Sequence, residues 1–255
     1  MRSIVYGPVP SWRLGRSLGV DLLPADGKTC SFDCTYCQLG RTVRRLTVRA
    51  EFVASSALAL ELEAARNVAA DYVTFSGMGE PTLASNLGEA LRLARDVLGL
   101  PTAVLTNSSL MAREDVRRDL ACADVVVAKL DAPDEQLFRR INRPLARLSL
   151  AETVEAIELF RATYRGKLAL QIMFIEANRR AAGRLADIAS RLSPDEVQIN
   201  TPVRPCPVTP LTAEEIAAIR EEFHKFANVV SVYDAPRPEV TAIDVEETRR
   251  RRPEL

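Results

Sequence analysis

Three cysteines, Cys30, Cys34 and Cys37, share one short stretch of the 255-residue chain. The spacing C-x3-C-x2-C puts three thiolates on one loop and supplies no fourth ligand. Closely spaced thiolates suit zinc or an iron–sulfur cluster. A structural zinc site asks for four ligands, commonly as two C-x2-C pairs, and here the second pair is missing. The remaining donors are Cys122, Cys206 and the single histidine, His224, which falls on an apolar helical stripe. A [4Fe–4S] cubane with one iron free of protein ligands accounts for three cysteines better. The competing reading is a non-catalytic, structural metal site.

Elements of two kinds must position that loop. Strand-like runs over 18–23, 72–76, Thr102–Thr106, 124–130, 168–175 and Glu196–Asn200 alternate with helical patterns. The helices are expected over 52–70, from Leu87 to a stop at Gly99, and over 110–121. Others follow at 178–192 and behind two capping boxes, Ser149 to Glu152 and Thr212 to Glu215. A last short strand is expected over 229–233. Repeated βα units with apolar strands imply an α/β fold, a parallel sheet covered by helices, closing into a full or partial barrel. In such folds the strand C-termini share one rim, and that rim carries the site. The cysteine loop follows the first strand. The later strands end in Ser76-Gly77-Met78-Gly79-Glu80-Pro81, Thr106-Asn107 and Lys129-Leu130-Asp131. Lys129 and Asp131 alternate on one strand face. An unpaired buried charge is costly, so Lys129 needs a carboxylate partner, either Asp131 or one on a ligand.

The cysteine spacing, with Tyr36 before Cys37, resembles the signature of radical S-adenosylmethionine enzymes. Gly77-Met78-Gly79-Glu80-Pro81 is similar to that family's Gly-Gly-Glu-Pro motif, with Met78 interrupting the paired glycines. The resemblance implies a partial (βα)6-type parallel barrel, with a core over about 18–233, short peripheral N- and C-terminal extensions, and a tail over 235–255. It also implies a [4Fe–4S] cluster on Cys30, Cys34 and Cys37, whose free iron binds the amino and carboxylate groups of S-adenosylmethionine. Reductive cleavage then gives a 5′-deoxyadenosyl radical that abstracts hydrogen from a substrate. On this resemblance Gly77, Met78 and Gly79 meet the methionine amino group, and Glu80 holds that loop or a substrate. Tyr36 packs on adenine or in the core. Thr106 and Asn107 bond the ribose or cap a turn, and Lys129 meets the cofactor carboxylate or pairs with Asp131. A reduced flavodoxin- or ferredoxin-like donor is implied, because sulfonium cleavage needs the low end of iron–sulfur potentials.

Two further stretches, from Tyr6 to Asp21 and from Lys129 to Pro144, resemble small enzymes related to the wyosine-base synthases of archaeal tRNA. The chain departs from that group at Trp12, where arginine is usual. Those enzymes use a second cluster on additional N-terminal cysteines. Here Cys30 is the first cysteine, so one cluster is expected. A tRNA or nucleoside substrate competes with a protein or a small metabolite. Arg41, Arg44, Arg45 and Arg49, with Arg139, Arg140 and Arg143, would track RNA phosphates. Solvated faces and local ion pairs are the default, since Lys plus Arg equals Asp plus Glu at 34 each. The odd cysteine count, and the lack of a signal-like or ~20-residue apolar run, point to a cytoplasmic chain that does not enter a membrane.

Overall fold

The computed structural model describes residues 3–23, 27–234 and 238–253. Its main sheet has eight strands: β1 (Val5–Ser11), β2 (Gly15–Val20), β5 (Tyr72–Phe75), β6 (Thr102–Thr106), β7 (Val125–Lys129), β8 (Lys167–Met173), β9 (Glu196–Asn200) and β10 (Val229–Ser231), in that spatial order. Every pair from β2 onward is parallel, and β1 alone runs antiparallel, folded back on β2 as a hairpin. Strands β2 and β5 to β9 form the expected partial (βα)6 barrel. β1 and β10 extend its two open edges. A small parallel pair, β3 (Lys28–Cys30) with β4 (Thr42–Arg45), carries the cysteine loop between its strands.

The helices are α1 (Ser55–Ala64), α2 (Leu87–Leu98), α3 (Glu114–Leu120), α4 (Glu135–Ile141), α5 (Leu150–Thr163), α6 (Ala182–Leu192), α7 (Ala213–Glu221) and α8 (Val245–Arg251). Their apolar stripes pack on the outside of the sheet, with Leu58, Leu91, Val116, Ile157, Leu185 and Ile216 all buried there. The barrel interior is a smaller cluster of Leu14, Ala103, Val125, Val127 and Ala169. Parallel strands with apolar side chains on both faces are the consequence of that sandwiching.

Several boundaries differ from the sequence pattern. Helix α1 ends at Ala64 rather than near 70: beyond Ala65 the residues Arg66, Asn67 and Ala69 are exposed, and Val68 and Ala70 pack on the core only in part. Helix α3 starts at Glu114, after a turn in which Ser108 takes a left-handed conformation (φ 68°). Ahead of α6, Asn178 is spent on the backbone: its Nδ2 donates to the carbonyls of Asp131 (2.8 Å) and Met173 (3.0 Å). A short 3-10 turn separates it from the helix. The box at Thr212 is complete. At Ser149 the hydroxyl caps Glu152 N, but the Glu152 carboxylate meets the Ser149 hydroxyl instead of its N–H.

The C-terminal extension lies outside the barrel but is firmly tied to it. Gly7 N donates to Thr248 Oγ1 at 3.0 Å, and Arg251 of α8 is buried. Among the described residues no helix is long and apolar enough to cross a membrane.

Candidate active site

The cysteine loop is held from two sides. Residues 141–145 clasp its backbone: Thr35 N donates to Ile141 O (2.9 Å), Asp33 N to Asn142 O (3.1 Å), and Leu145 N to Ser31 O (3.2 Å). Inside the loop, Cys37 N donates to Cys34 O and Gly40 N to Cys37 O, two successive turns that fold the third thiol back toward the second. On the other side the strand-end segment 77–80 pairs with β3. Thr29 N donates to Met78 O (2.9 Å) and Glu80 N donates to Thr29 O (3.1 Å). A Cβ on Gly79 would stand 1.7 Å from that Thr29 carbonyl, and one on Gly77 (φ 141°) would strike Asp21. Two glycines are therefore required for the approach.

The sulfurs receive N–H donors. Asn107 Nδ2 reaches Cys30 Sγ at 3.4 Å and Ser31 Oγ at 2.9 Å, and Asn142 Nδ2 reaches Cys34 Sγ at 3.6 Å. Burial pushes the Cys30 thiol up to about 12 and raises that of Cys34. Such thiols ionise only when a strong cation draws them, which metal coordination does. Lys28 is buried beside them: desolvation pulls its amine down, but Cys37, Cys30 and Cys34 more than offset that and hold it cationic. Soft thiol donors, amide N–H groups aimed at sulfur and one nearby cation fit an iron–sulfur cluster. Among the described residues no group of three or more His, Cys, Asp or Glu side chains is placed to hold a single metal ion. The spare zinc donors are engaged elsewhere: Cys122 with Arg92, Cys206 with Val208 O, and exposed His224 with Glu221 O.

Glu80 holds the loop. Its carboxylate accepts from Thr82 N (3.1 Å), Thr82 Oγ1 (2.7 Å), Thr106 Oγ1 (2.7 Å) and Asn107 N (2.6 Å), and it is buried, which raises its pKa. Thr106 and Asn107 are thus occupied with Glu80, Ser31 and Cys30 in this structure, rather than presented to a ribose. Glu80→Gln should cost about 1–3 kcal/mol, because an amide N–H₂ would face donors that need an acceptor. Chemical denaturation checks this, and an unchanged midpoint would contradict it.

Tyr36 packs with Ile141, Met173 and Ile175 and also lines the cavity beside the cysteine loop. Burial, reinforced by Asp131, raises its phenol far enough that it stays protonated. The hydroxyl donates to Asp131 Oδ2 and accepts from Lys129 Nζ (3.0 Å) and Asn142 Nδ2 (3.3 Å). The expected Lys129–Asp131 pair is therefore bridged by a phenol. Asp131 is spent further on Asn142 Nδ2 (2.6 Å) and Met173 N (2.8 Å), which leaves it no room for a ligand. Lys129, with Tyr36, Cys37, Ser76, Gly77 and Met173, lines a cavity of about 230 Å³ beside the cysteine loop.

Four contributors escaped the sequence reading, Lys28 among them. Asn142 lies in a stretch already singled out, but nothing marked its side chain. Asp21 follows β2 as the other rim residues follow their strands. It accepts from Leu23 N, Met78 N (3.1 Å) and Arg251 Nε (2.8 Å). Arg251 comes from the tail, and only the fold reveals it.

A three-cysteine loop on the C-terminal rim of a partial barrel defines a class. The sequence pattern of the radical SAM superfamily matches residues 26–180, and the chain belongs to that superfamily. Its cofactors are accordingly a [4Fe–4S] cluster and S-adenosylmethionine. The chain is similar to the UPF0026 protein MJ1312 of Methanocaldococcus jannaschii, 40% identical over 210 residues, which cover 80% of this chain and 64% of that one. It thus spans just under two thirds of that relative. In fold it is similar to Streptococcus suis SuiB bound to S-adenosylmethionine (TM-score 0.64, 15% identity, 84% of this chain and 50% of that chain). It is similar also to archaeal TYW1 (TM-score 0.60, 12% identity, 82% and 72%).

Proposed function

We propose that Cys30, Cys34 and Cys37 ligate the cluster and that S-adenosylmethionine occupies the cavity bounded by Gly77, Cys37 and Lys129. When bound, the two cofactors supply reductive cleavage of a sulfonium bond and the start of hydrogen abstraction from a substrate. The chain's own residues position and shield. Lys28 offsets thiolate charge, Asn107 and Asn142 donate to sulfur, and Lys129 presents a cation to a carboxylate. The observation that carries the reading is the pairing of segment 77–80 with β3, which brings the glycine motif against the residue preceding Cys30. The exposed turn at Gly40 and Arg41 gives a flavodoxin- or ferredoxin-like donor an approach beside Cys37. Free cysteines and a reduced protein donor are consistent with a cytoplasmic setting, which is part of this proposal.

Anaerobic reconstitution with iron and sulfide, then dithionite and S-adenosylmethionine, is expected to yield 5′-deoxyadenosine. Cys34→Ala is expected to lose both the bound iron and the product. An intact cluster without product, or stoichiometric zinc in place of iron, would count against the enzyme.

A second reading, an RNA substrate, is favoured by Arg41, Arg44 and Arg45, all exposed on and beside β4. Arg49 does not join them: it is buried against Asp115 (2.9 Å) and Asp119, and Arg139 pairs with Glu135 (2.7 Å). Binding of tRNA that weakens steeply with salt would support this reading, and a flat, weak response would remove it.

A further inference from the structure

A second cavity, of about 520 Å³, lies between the two edges of the open barrel and is left unused by the cofactors. Pro8, Val9 and Pro10 of β1 wall one side. Gln171 and Met173 of β8 and Asn200 of β9 wall the other, and residues 240–252 close over it. It adjoins the cavity beside Cys37, since Arg13, Gln38, Met173, Arg204 and Arg252 line both.

Its charge is one-sided. Arg13, Arg204, Arg249 and Arg252 line it, and among the described lining residues none is acidic. Arg204 and Arg252 have other partners of their own. Arg13 lies over the Trp12 ring at 4.8 Å, and its Nε is buried without a hydrogen-bond partner. Gln171 Nε2 is a second buried donor without one. Burial first, then the charge of Arg252, works against the Arg13 cation, and Glu196 works for it. Glu196 itself is shared among Lys167 Nζ (2.7 Å), Gln198 Nε2 (2.7 Å) and Asn228 Nδ2 (3.2 Å). Clustered guanidiniums and orphaned donors in a confined site are unfavourable until an anion fills it. One carboxylate answers one guanidinium fork, whereas several forks suit a dianion with more acceptor oxygens. The proline and valine walls leave space for an uncharged body.

We propose that this cavity binds the substrate, and that the substrate is a small molecule carrying a phosphate group, held by Arg13, Arg249 and Gln171 within reach of the cofactor cavity. The inference rests on the radical-enzyme reading and adds the chemical class of what is acted upon. Phosphate occurs both on free metabolites and along RNA. A cavity of about 520 Å³ suits the former.

The test uses cluster-loaded protein with S-adenosylmethionine bound. Uridine 5′-monophosphate, uridine, succinate and tRNA are titrated by calorimetry, with the fluorescence of Trp12, the single tryptophan, as a local reporter. Saturable binding of the monophosphate is expected, with no response to uridine. Arg249→Met should weaken that binding about tenfold, the loss of one charge-assisted contact. Arg13→Met should weaken it at least as much, and the exposed Arg249 keeps the test open if the buried variant fails to fold. Arg118→Met, on α3, serves as the control and should leave it unchanged. No monophosphate binding, tighter succinate binding, a response to tRNA alone, or indifference to Arg249→Met would each overturn the proposal. 5′-Deoxyadenosine is measured on the same preparation. Product without phosphate binding defeats this inference alone, and phosphate binding without product defeats the cofactor reading instead.

Discussion

Arg251→Met is expected to destabilise the fold by about 3–5 kcal/mol, the cost of leaving a buried charge without its partner. Arg251 and Asp21 are each only 2% exposed at the side chain, and the guanidinium Nε meets Oδ2 at 2.8 Å. The same arginine binds Glu247 (2.7 Å), reaches the Ser3 carbonyl and lies over the Tyr6 ring at 5.0 Å. Tyr6 in turn meets Ser76 Oγ at 2.9 Å and fills the space that the bare Gly19 leaves. The effect should reach the site because Asp21 also accepts from Met78 N. Weaker S-adenosylmethionine binding is expected alongside the lower denaturation midpoint.

The loss should depend on pH. Burial raises the Asp21 carboxyl against the pull of Arg251 and of the Leu23 and Met78 N–H groups, and removing Arg251 raises it further. A carboxyl whose folded pKa lies above its unfolded value contributes its stability fully below the unfolded value, about pH 4. That stability is lost as pH rises through the folded value. The deficit of the variant should therefore be smallest in acid and widen toward neutral pH. Pairing Arg251→Met with Asp21→Asn should recover part of the loss. Urea titrations of the four proteins at both pH values measure it, and a deficit equal at both would contradict the buried-charge account.

The second large effect is at Gly79. Gly79→Ala brings a methyl group to 1.7 Å from a backbone oxygen that cannot rotate away. One of the two strands must move, and the Thr29–Met78 and Thr29–Glu80 hydrogen bonds go with it. Overpacking of this kind costs about 1–3 kcal/mol. The loss of function should exceed that, because Cys30 follows Thr29 directly. Iron content after reconstitution and S-adenosylmethionine affinity should both collapse in a protein that still folds. Gly40→Ala is the comparison: a Cβ there meets nothing within 4 Å, although φ is +76°. Only the left-handed backbone cost of about 1–2 kcal/mol applies. If the two variants load iron equally, the close approach is not what assembles the loop.

The residues show what was legible. The strands of the βα core could be found because each is a compact apolar run ending in polar residues, and Gly99 stops α2 in the left-handed conformation its sequence announces. The three cysteines and Gly77 to Glu80 could be found because their chemistry is local. Asn107 and Asp131 were placed on the correct rim, but their partners, Cys30, Ser31, Asn142 and Tyr36, come from loops whose path has no period. Arg251 was least legible of all. A run of arginines on a short helix reads as a solvated face, and only the return of α8 over β1 buries one of them.

That return has a bearing on how the molecule is made. Residue 251 supports Asp21, and Asp21 supports Met78, so the cofactor loop depends on a contact spanning nearly the whole chain. During synthesis the barrel strands can pair as they emerge, each with a neighbour already present. Until α8 is in place, segment 77–80 lacks the Arg251–Asp21 support, while the hydrogen bonds to β3 and to residues 141–145 are already available to the loop.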